Sequence, residues 1–309
     1  MNLTSFLRGF TPCALAALAS FSDSAQAAEN WQLSKVDQFM VSAIGANRTQ
    51  GVSSDGSNWY FSWNAGLEST DLGFNRLKTA NTPFSLLLQG LDHMGDFDEY
   101  EGILYVPMDR STNGYEKPRV ALFNAKNLSY TGKIYTLQGA PNNREHDIAS
   151  WIAVNGAAGV AYGKEWQDGN TLNTYRMSDW SFSGTLKMDR SLSRIQGAEL
   201  YRGALYMSSD NSTQSVYRVD LGTGHVDELF RLPTPEGDRE VEGLAVRELP
   251  GGGAELAITM NVIPKNAPAH IDMFRYTLAP VPEPQSYALM LAGLGALSWV
   301  ARRRRGAPL

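Results

Sequence analysis

"IQGAELYRGALYM" occupies residues 195–207. A polar residue and a glycine open it, a short apolar-rich run follows, a glycine interrupts, and a second run returns. Gly203 falls where two runs must reverse tightly, and a residue without Cβ enters such turns at little steric cost. The plan recurs in "TQGVSSDGSNWYF" (49–61), "HMGDFDEYEGILYV" (93–106) and "VEGLAVRELPGGGAELAI" (241–258). It recurs again in "EHDIASWIAVNGAAGVAY" (145–162), with Asp147 in place of the first glycine. The anchors Gly51, Gly95, Asp147, Gly197 and Gly243 are 44, 52, 50 and 46 residues apart.

Two further runs follow most of these pairs. "TYRM" (174–177), "VYRV" (216–219) and "MFRY" (273–276) share an aromatic-Arg-apolar core; "KIYTLQ" (133–138), "GTLKMD" (184–189) and "VDELFRL" (226–232) come next. In "SVYRVDL", Tyr217, Val219 and Leu221 share one face and Arg218 and Asp220 the other, the period of a half-buried strand. Four-stranded units repeating every 40–50 residues read as blades of a β-propeller, because one such sheet cannot bury both faces alone. The expected fold is all-β, with five blades rather than six. The fifth unit lacks a fourth strand, and the orphan segment "WQLSKVDQFMVSAI" (31–44) has a strand pattern that would supply it and close the ring. A two-sheet sandwich is the alternative, but it does not require a repeat.

The two ends read differently from this body. Residues 1–27 hold one cation, Arg8, a short apolar run, and Ala25-Gln26-Ala27 as a small-x-small cleavage site, the layout of a secretory signal peptide. The partners it implies are the Sec translocon and signal peptidase. The only cysteine, Cys13, lies inside it, so a mature chain has no disulfide, thiol nucleophile or zinc–thiolate site. At the other end, Pro282-Glu283-Pro284 precedes an uncharged stretch to residue 301, then Arg302, Arg303, Arg304 and Arg305. Eighteen helical residues span roughly 27 Å, about one bilayer core, and an arginine cluster stays cytoplasmic. Arg8 and Asp23 cancel, while Glu283 against the four arginines carries +3, so the formal charge of −5 becomes −8 for the body. An acidic body argues against nucleic acid as a partner.

The order Pro-Glu-Pro, apolar helix, arginine cluster resembles the PEP-CTERM sorting signal of exopolysaccharide-producing Gram-negative bacteria. That resemblance implies an exosortase as partner, a transient inner-membrane intermediate, and release toward the outer surface, with exopolysaccharide as a candidate ligand. The expected division is signal peptide 1–27, propeller 28–281 and sorting signal 282–309.

Propeller geometry brings the starts of the first strands and the ends of the second strands of all blades to one mouth. The starts are Gln50, His93, His146, Gln196 and Glu242; the ends are Asn64, Asp109, Glu165, Asp210 and Asn261. All ten are polar and form the candidate ligand ring, although strand ends also favour polar turn residues for structural reasons. Asp92, Asp96 and Asp98 form the densest acidic run, with hard oxygens suited to a divalent cation such as Ca²⁺, though without the EF-hand spacing. "TQGVSSDG" is similar to the opening blade of five-bladed glutaminyl cyclotransferases, where F-T-Q-G-L precedes a D-G turn; Thr49, Gln50, Gly51, Asp55 and Gly56 match, and Arg48 and Val52 depart. Two functions follow: a binding or matrix-associated module, or an extracellular enzyme of cyclotransferase, hydrolase or lactonase type. The termini themselves make a prediction. Intact-mass measurement of protein recovered from the medium should show residues 284–305 missing, and recovery of the whole C-terminus would overturn the sorting reading.

Overall fold

The computed structural model describes residues 29–42, 48–112, 114–139, 148–278 and 293–294. The chain divides into two units, Asn30–Pro280 and the terminal segments Met1–Glu29 with Val281–Leu309. Ala25, Ala27, the Pro282–Pro284 motif and the four arginines lie outside the described residues. So does the segment expected to cross the membrane, apart from Gly293 and Leu294. Among the described residues no helix is long and apolar enough to cross a membrane.

The first strand, β1 (Trp31–Met40), precedes the units. Blade 1 holds β2 (Val52–Ser54), β3 (Asn58–Trp63), β4 (Gly66–Asp71) and β5 (Arg76–Asn81). In blade 2 the inner strand comes in two pieces, β6 (His93–Met94) and β7 (Asp98–Tyr100), both paired with β8 (Ile103–Arg110); β9 (Glu116–Asn124) and β10 (Tyr130–Thr136) complete it. Blade 3 is β11 (Ala153–Asn155), β12 (Val160–Gly163), β13 (Gly169–Arg176) and β14 (Phe182–Leu192). Blade 4 is β15 (Ile195–Tyr201), β16 (Ala204–Ser209), β17 (Ser215–Asp220) and β18 (Val226–Arg231). Blade 5 has three strands in sequence, β19 (Asp238–Glu248), β20 (Ala254–Ile263) and β21 (His270–Leu278), and β1 pairs antiparallel along β21 as its fourth. The expected closure by the N-terminal strand is therefore present, from Trp31 opposite Leu278 to Met40 opposite His270.

Five hydrophobic clusters fill the five interfaces between adjacent blades. Leu67 meets Leu104 and Phe123 between blades 1 and 2, and Val120 meets Ile152 and Tyr175 between blades 2 and 3. Trp151 meets Leu205 and Val219 between blades 3 and 4, and Tyr206 meets Leu256 and Phe274 between blades 4 and 5. Phe61 meets Ala257 and Met273 between blades 5 and 1. This corrects the half-buried reading of the third strands. β17 has a neighbouring blade on each side, so it is buried on both faces, and even Arg218 is only 9% exposed.

The seam between blades 5 and 1 carries a buried cation. The Arg48 guanidinium lies 4.2 Å from the centre of the Phe39 ring on β1 and 4.6 Å from that of Phe61 on β3. Its Nε donates to Glu68 Oε2 at 2.9 Å, and Arg76 binds the same carboxylate from outside. One arginine thus joins the closing strand to the first blade, by cation–π contact on one side and a charge-assisted hydrogen bond on the other.

The anchor glycines mark where inner strands touch. A Cβ on Gly95 would stand 2.3 Å from the Ser150 carbonyl oxygen, and one on Gly243 would stand 2.5 Å from the Val52 nitrogen. Gly51 and Gly197 are equally closed in, by Asp96 and by Leu244. Asp147 lies outside the described residues; the blade 3 backbone that closes on Gly95 is Ala149–Ser150. Because those neighbours are backbone, they cannot rotate aside. Gly197→Ala should cost about 1–3 kcal/mol as overpacking, a melting shift of about 2–12 °C in a domain of this size. A thermal scan showing no loss would reject the account of the axis.

Candidate functional site

Asp96 stands where the five inner strands converge. Its Oδ1 accepts the Val52 N–H of blade 1 at 2.9 Å, and its Oδ2 accepts the Ala198 N–H of blade 4 at 3.0 Å and the Leu244 N–H of blade 5 at 3.4 Å. Its own amide donates to the Ser150 carbonyl at 2.9 Å, and its carbonyl accepts the Ile152 N–H at 3.1 Å, which brings in blade 3. Its carboxyl pKa is pushed up by burial, against the three amides that hold it down. Two residues on, Asp98 Oδ2 accepts the Val154 N–H of blade 3 at 2.7 Å, and the Asp98 side chain hydrogen-bonds that of Glu199 from blade 4. Two carboxyl groups can share a hydrogen bond only if one is protonated. Burial pushes Asp98 up to about 7, and burial with repulsion from Asp98 and Asp96 holds Glu199 well above the carboxylate range.

These contacts occupy carboxylate oxygens of the acidic run. The carboxylates of Asp92, Asp96 and Asp98 do not form a ligand set. Asp92 Oδ1 accepts the Ser111 N–H at 2.8 Å, while Asp96 and Asp98 use their oxygens on backbone amides. Among the described residues no three His, Asp or Glu side chains are grouped to hold a metal ion.

At the mouth, polar side chains from four blades engage one another. His93 Nδ1 lies 2.9 Å from Asp109 Oδ1 and its Nε2 lies 3.0 Å from Gln50 Oε1, so blades 1 and 2 are joined through one imidazole. The Tyr115 ring stands edge-on to it at 5.2 Å. Asn261 Nδ2 donates to Glu242 Oε1 at 2.8 Å and to the Thr49 carbonyl at 3.1 Å. Gln196 Nε2 donates to Glu240 Oε1 at 3.1 Å. Asp210 Oδ1 accepts the Val241 N–H at 3.1 Å, and its other oxygen takes the Arg194 guanidinium, which stacks over Trp166 at 4.9 Å. Glu242 is buried, and burial followed by repulsion from Glu240, Asp210 and Asp96 raises its pKa well above normal.

The structure thus gathers Gln50, His93, Asp109, Gln196, Asp210, Glu242 and Asn261. Asn64 is exposed in the turn joining β3 and β4 and joins none of these hydrogen bonds. Glu165 follows Lys164, a fully buried lysine whose Nζ donates to the Glu165 and Gln167 carbonyls at 2.9 and 2.6 Å. Burial pulls that lysine down to about 8. His146 lies outside the described residues. Reading strand ends missed Glu199, Glu240, Arg194 and Lys164. A signal existed for the first of these: in "QGAEL" an acid follows the anchor glycine by two positions, much as Asp98 follows Gly95 by three.

The buried protons carry a sign. Unfolded, Asp98, Glu199 and Glu242 titrate near 4. Between that value and about 7 the native chain holds protons that the unfolded chain has lost, so stability falls as pH rises. Carboxylates with lowered values, such as Glu68 and Asp71, act below that window. Urea midpoints should be higher at pH 5 than at pH 8, and Glu199→Gln should flatten the difference. A midpoint that rises with pH would contradict the shared proton.

A family model described as the PEP-CTERM protein-sorting motif matches residues 280–305. No curated protein matches the chain, and the similarity of residues 49–61 to glutaminyl cyclotransferases finds no support in these comparisons. Among solved structures, apo AztD from Citrobacter koseri is 15% identical with a TM-score of 0.35, over 58% of this chain and 45% of AztD. Sqt1 of Saccharomyces cerevisiae is 12% identical with a TM-score of 0.38, over 82% of this chain and 66% of Sqt1. The chain therefore spans less than half the length of AztD. Five closed blades followed by a PEP-CTERM motif describe an exosortase-sorted exported protein with a propeller fold.

Proposed function

We propose that the exported propeller is a binding module of the cell envelope or extracellular matrix that engages exopolysaccharide through the mouth carrying His93 and Glu242. The observation behind this reading is the composition of that end of the ring. Side chains of blades 1, 2, 4 and 5 hold one another in a fixed polar floor. Around it the strand ends and connections expose large apolar groups: Met40, Phe84, Leu87, Leu88, Tyr115 and Ile263. Phe84 and Leu87 bound the short helix α1 (Phe84–Leu87), in the connection that leads from blade 1 to His93. A rigid polar floor with an apolar rim suits a ligand that offers both hydroxyls and C–H faces.

The Asp109–His93 pair favours a second reading. A carboxylate that orients an imidazole is the arrangement of a general base, and here His93 Nε2 is engaged by Gln50. Affinity electrophoresis of the purified full chain in gels containing the exopolysaccharide of the producing cell separates the two. The binding reading expects retardation, a roughly tenfold loss of affinity in His93→Ala or Gln196→Ala, about 1.4 kcal/mol, and polymer of unchanged length. Shortened polymer would favour the enzyme, and unretarded protein would reject the ligand.

A further inference from the structure

At the top of blade 5 the ends of β19, β20 and β21 leave a cleft of about 310 Å³ beside the mouth. Its walls include Thr49, Asp238, Glu240, Asn261, Val262 and Ile263. The pairing of β19 with β20 explains this mixture, because Glu240 stands opposite Asn261 and Asp238 opposite Ile263. Carboxylates of one strand thus face an amide and an apolar side chain of the next. The volume lies at the lower end of small-ligand sites, room for about one sugar unit.

Among the charged walls of the cleft two carboxylates stand against one guanidinium. Arg239 also borders it, but its guanidinium is committed elsewhere, with Nε donating to Gln214 Oε1 at 3.1 Å and Nη1 to the Gly237 carbonyl at 3.3 Å. His270 turns Nδ1 to the Pro268 carbonyl at 3.2 Å and lies 3.6 Å from Asp272. Among the described residues neither Asp238 nor Glu240 makes an ion pair, and both are exposed. Asn261, also in the wall, spends its NH₂ on Glu242 and Thr49. Two exposed carboxylates without an ion-pair partner and the exposed side chain of Ile263 together ask for a cationic group rich in N–H donors on an apolar frame.

We propose that this cleft binds a hexosamine unit bearing a free ammonium group, so that the ligand of the propeller is a polysaccharide with unacetylated amino sugars. The inference rests on the exopolysaccharide reading above and narrows it. The ammonium supplies three donors and sits between Asp238 and Glu240, while the ring's C–H face lies on Ile263, which is 59% exposed beside them. Acetylation removes the charge and enlarges the group, so the acetylated sugar loses both sources of recognition.

Calorimetric titration of the purified full chain with a glucosamine tetramer and with its fully N-acetylated counterpart tests this. The expected result is binding of the free amine at least tenfold tighter than of the acetylated oligomer. An Asp238→Asn, Glu240→Gln double variant, checked by thermal melting to be folded, should lose that preference. Equal or tighter binding of the acetylated oligomer overturns the inference and leaves the exopolysaccharide reading standing. So does a chain that binds neither oligomer but is still retarded by the exopolysaccharide. A folded double variant with unchanged preference also overturns it. If neither oligomer nor the exopolysaccharide is bound, both readings fall.

Discussion

The carboxylate of Asp96 is the contact on which the ring depends. Five sheets that share no strand with one another must be held at a common axis, where there is little room for side chains. Glycine at four anchors lets the backbones close up, and the price is a set of inner-strand N–H groups with no strand to pair with. One carboxylate with four lone-pair sites answers three of them, from blades 1, 4 and 5, while the peptide groups of the same residue bridge to blade 3. The break of blade 2's inner strand into β6 and β7 belongs to this arrangement. Asp96 sits in the gap, with its backbone turned toward Trp151 instead of toward β8.

Placing acids at a narrow axis has an electrostatic consequence. Asp98, Glu199 and Glu242 are desolvated and lie near other acids, and the groups facing the Asp98–Glu199 pair, namely Asp96, Glu99 and Tyr105, are acids too. Neutralisation by protons takes the place that ion pairs hold at the seam, where Arg48 and Arg76 meet Glu68. The axis and the mouth are therefore one continuous acidic column. It is buried and proton-bearing within, and hydrogen-bonded to amides and an imidazole where it opens. A ligand approaching that opening meets Glu240 and Asp238 before any group of the interior.

The closure follows a different logic. β1 contributes almost nothing buried except Trp31, its other residues being half-buried or exposed. Its role is to satisfy the edge of β21 along nine paired positions and to place Phe39 against Arg48. An open edge on β21 would offer a row of unpaired amides to other chains. Two ion pairs, from Arg275 to Asp37 and to Glu255, tie this outer strand across the sheet.

What the sequence determined by itself is local and periodic. The 44–52-residue spacing, the anchor glycines and the strand alternation set the number of blades, and the missing fourth strand pointed to residues 31–44 as the closure. These are readable because each blade must satisfy the same packing rule within its own stretch of chain. Of the ten strand-end residues, Gln50, His93 and Asp109 hydrogen-bond one another, as do Glu242 and Asn261, while Gln196 and Asp210 engage Glu240 and Arg194. Only the tertiary structure decided what Asp96 does. Its carboxylate is satisfied by Val52, Ala198 and Leu244, at separations of 44, 102 and 148 residues. These partners are backbone amides, which every non-proline residue carries, so residue type cannot mark them. The same holds for Glu240 and Asn261, whose side chains become the wall of a cleft through strand register. In sequence Asp96 and Asp98 look like cation ligands; in the ring their oxygens are already taken, because closing five blades on one axis creates unmatched donors that only those carboxylates can reach.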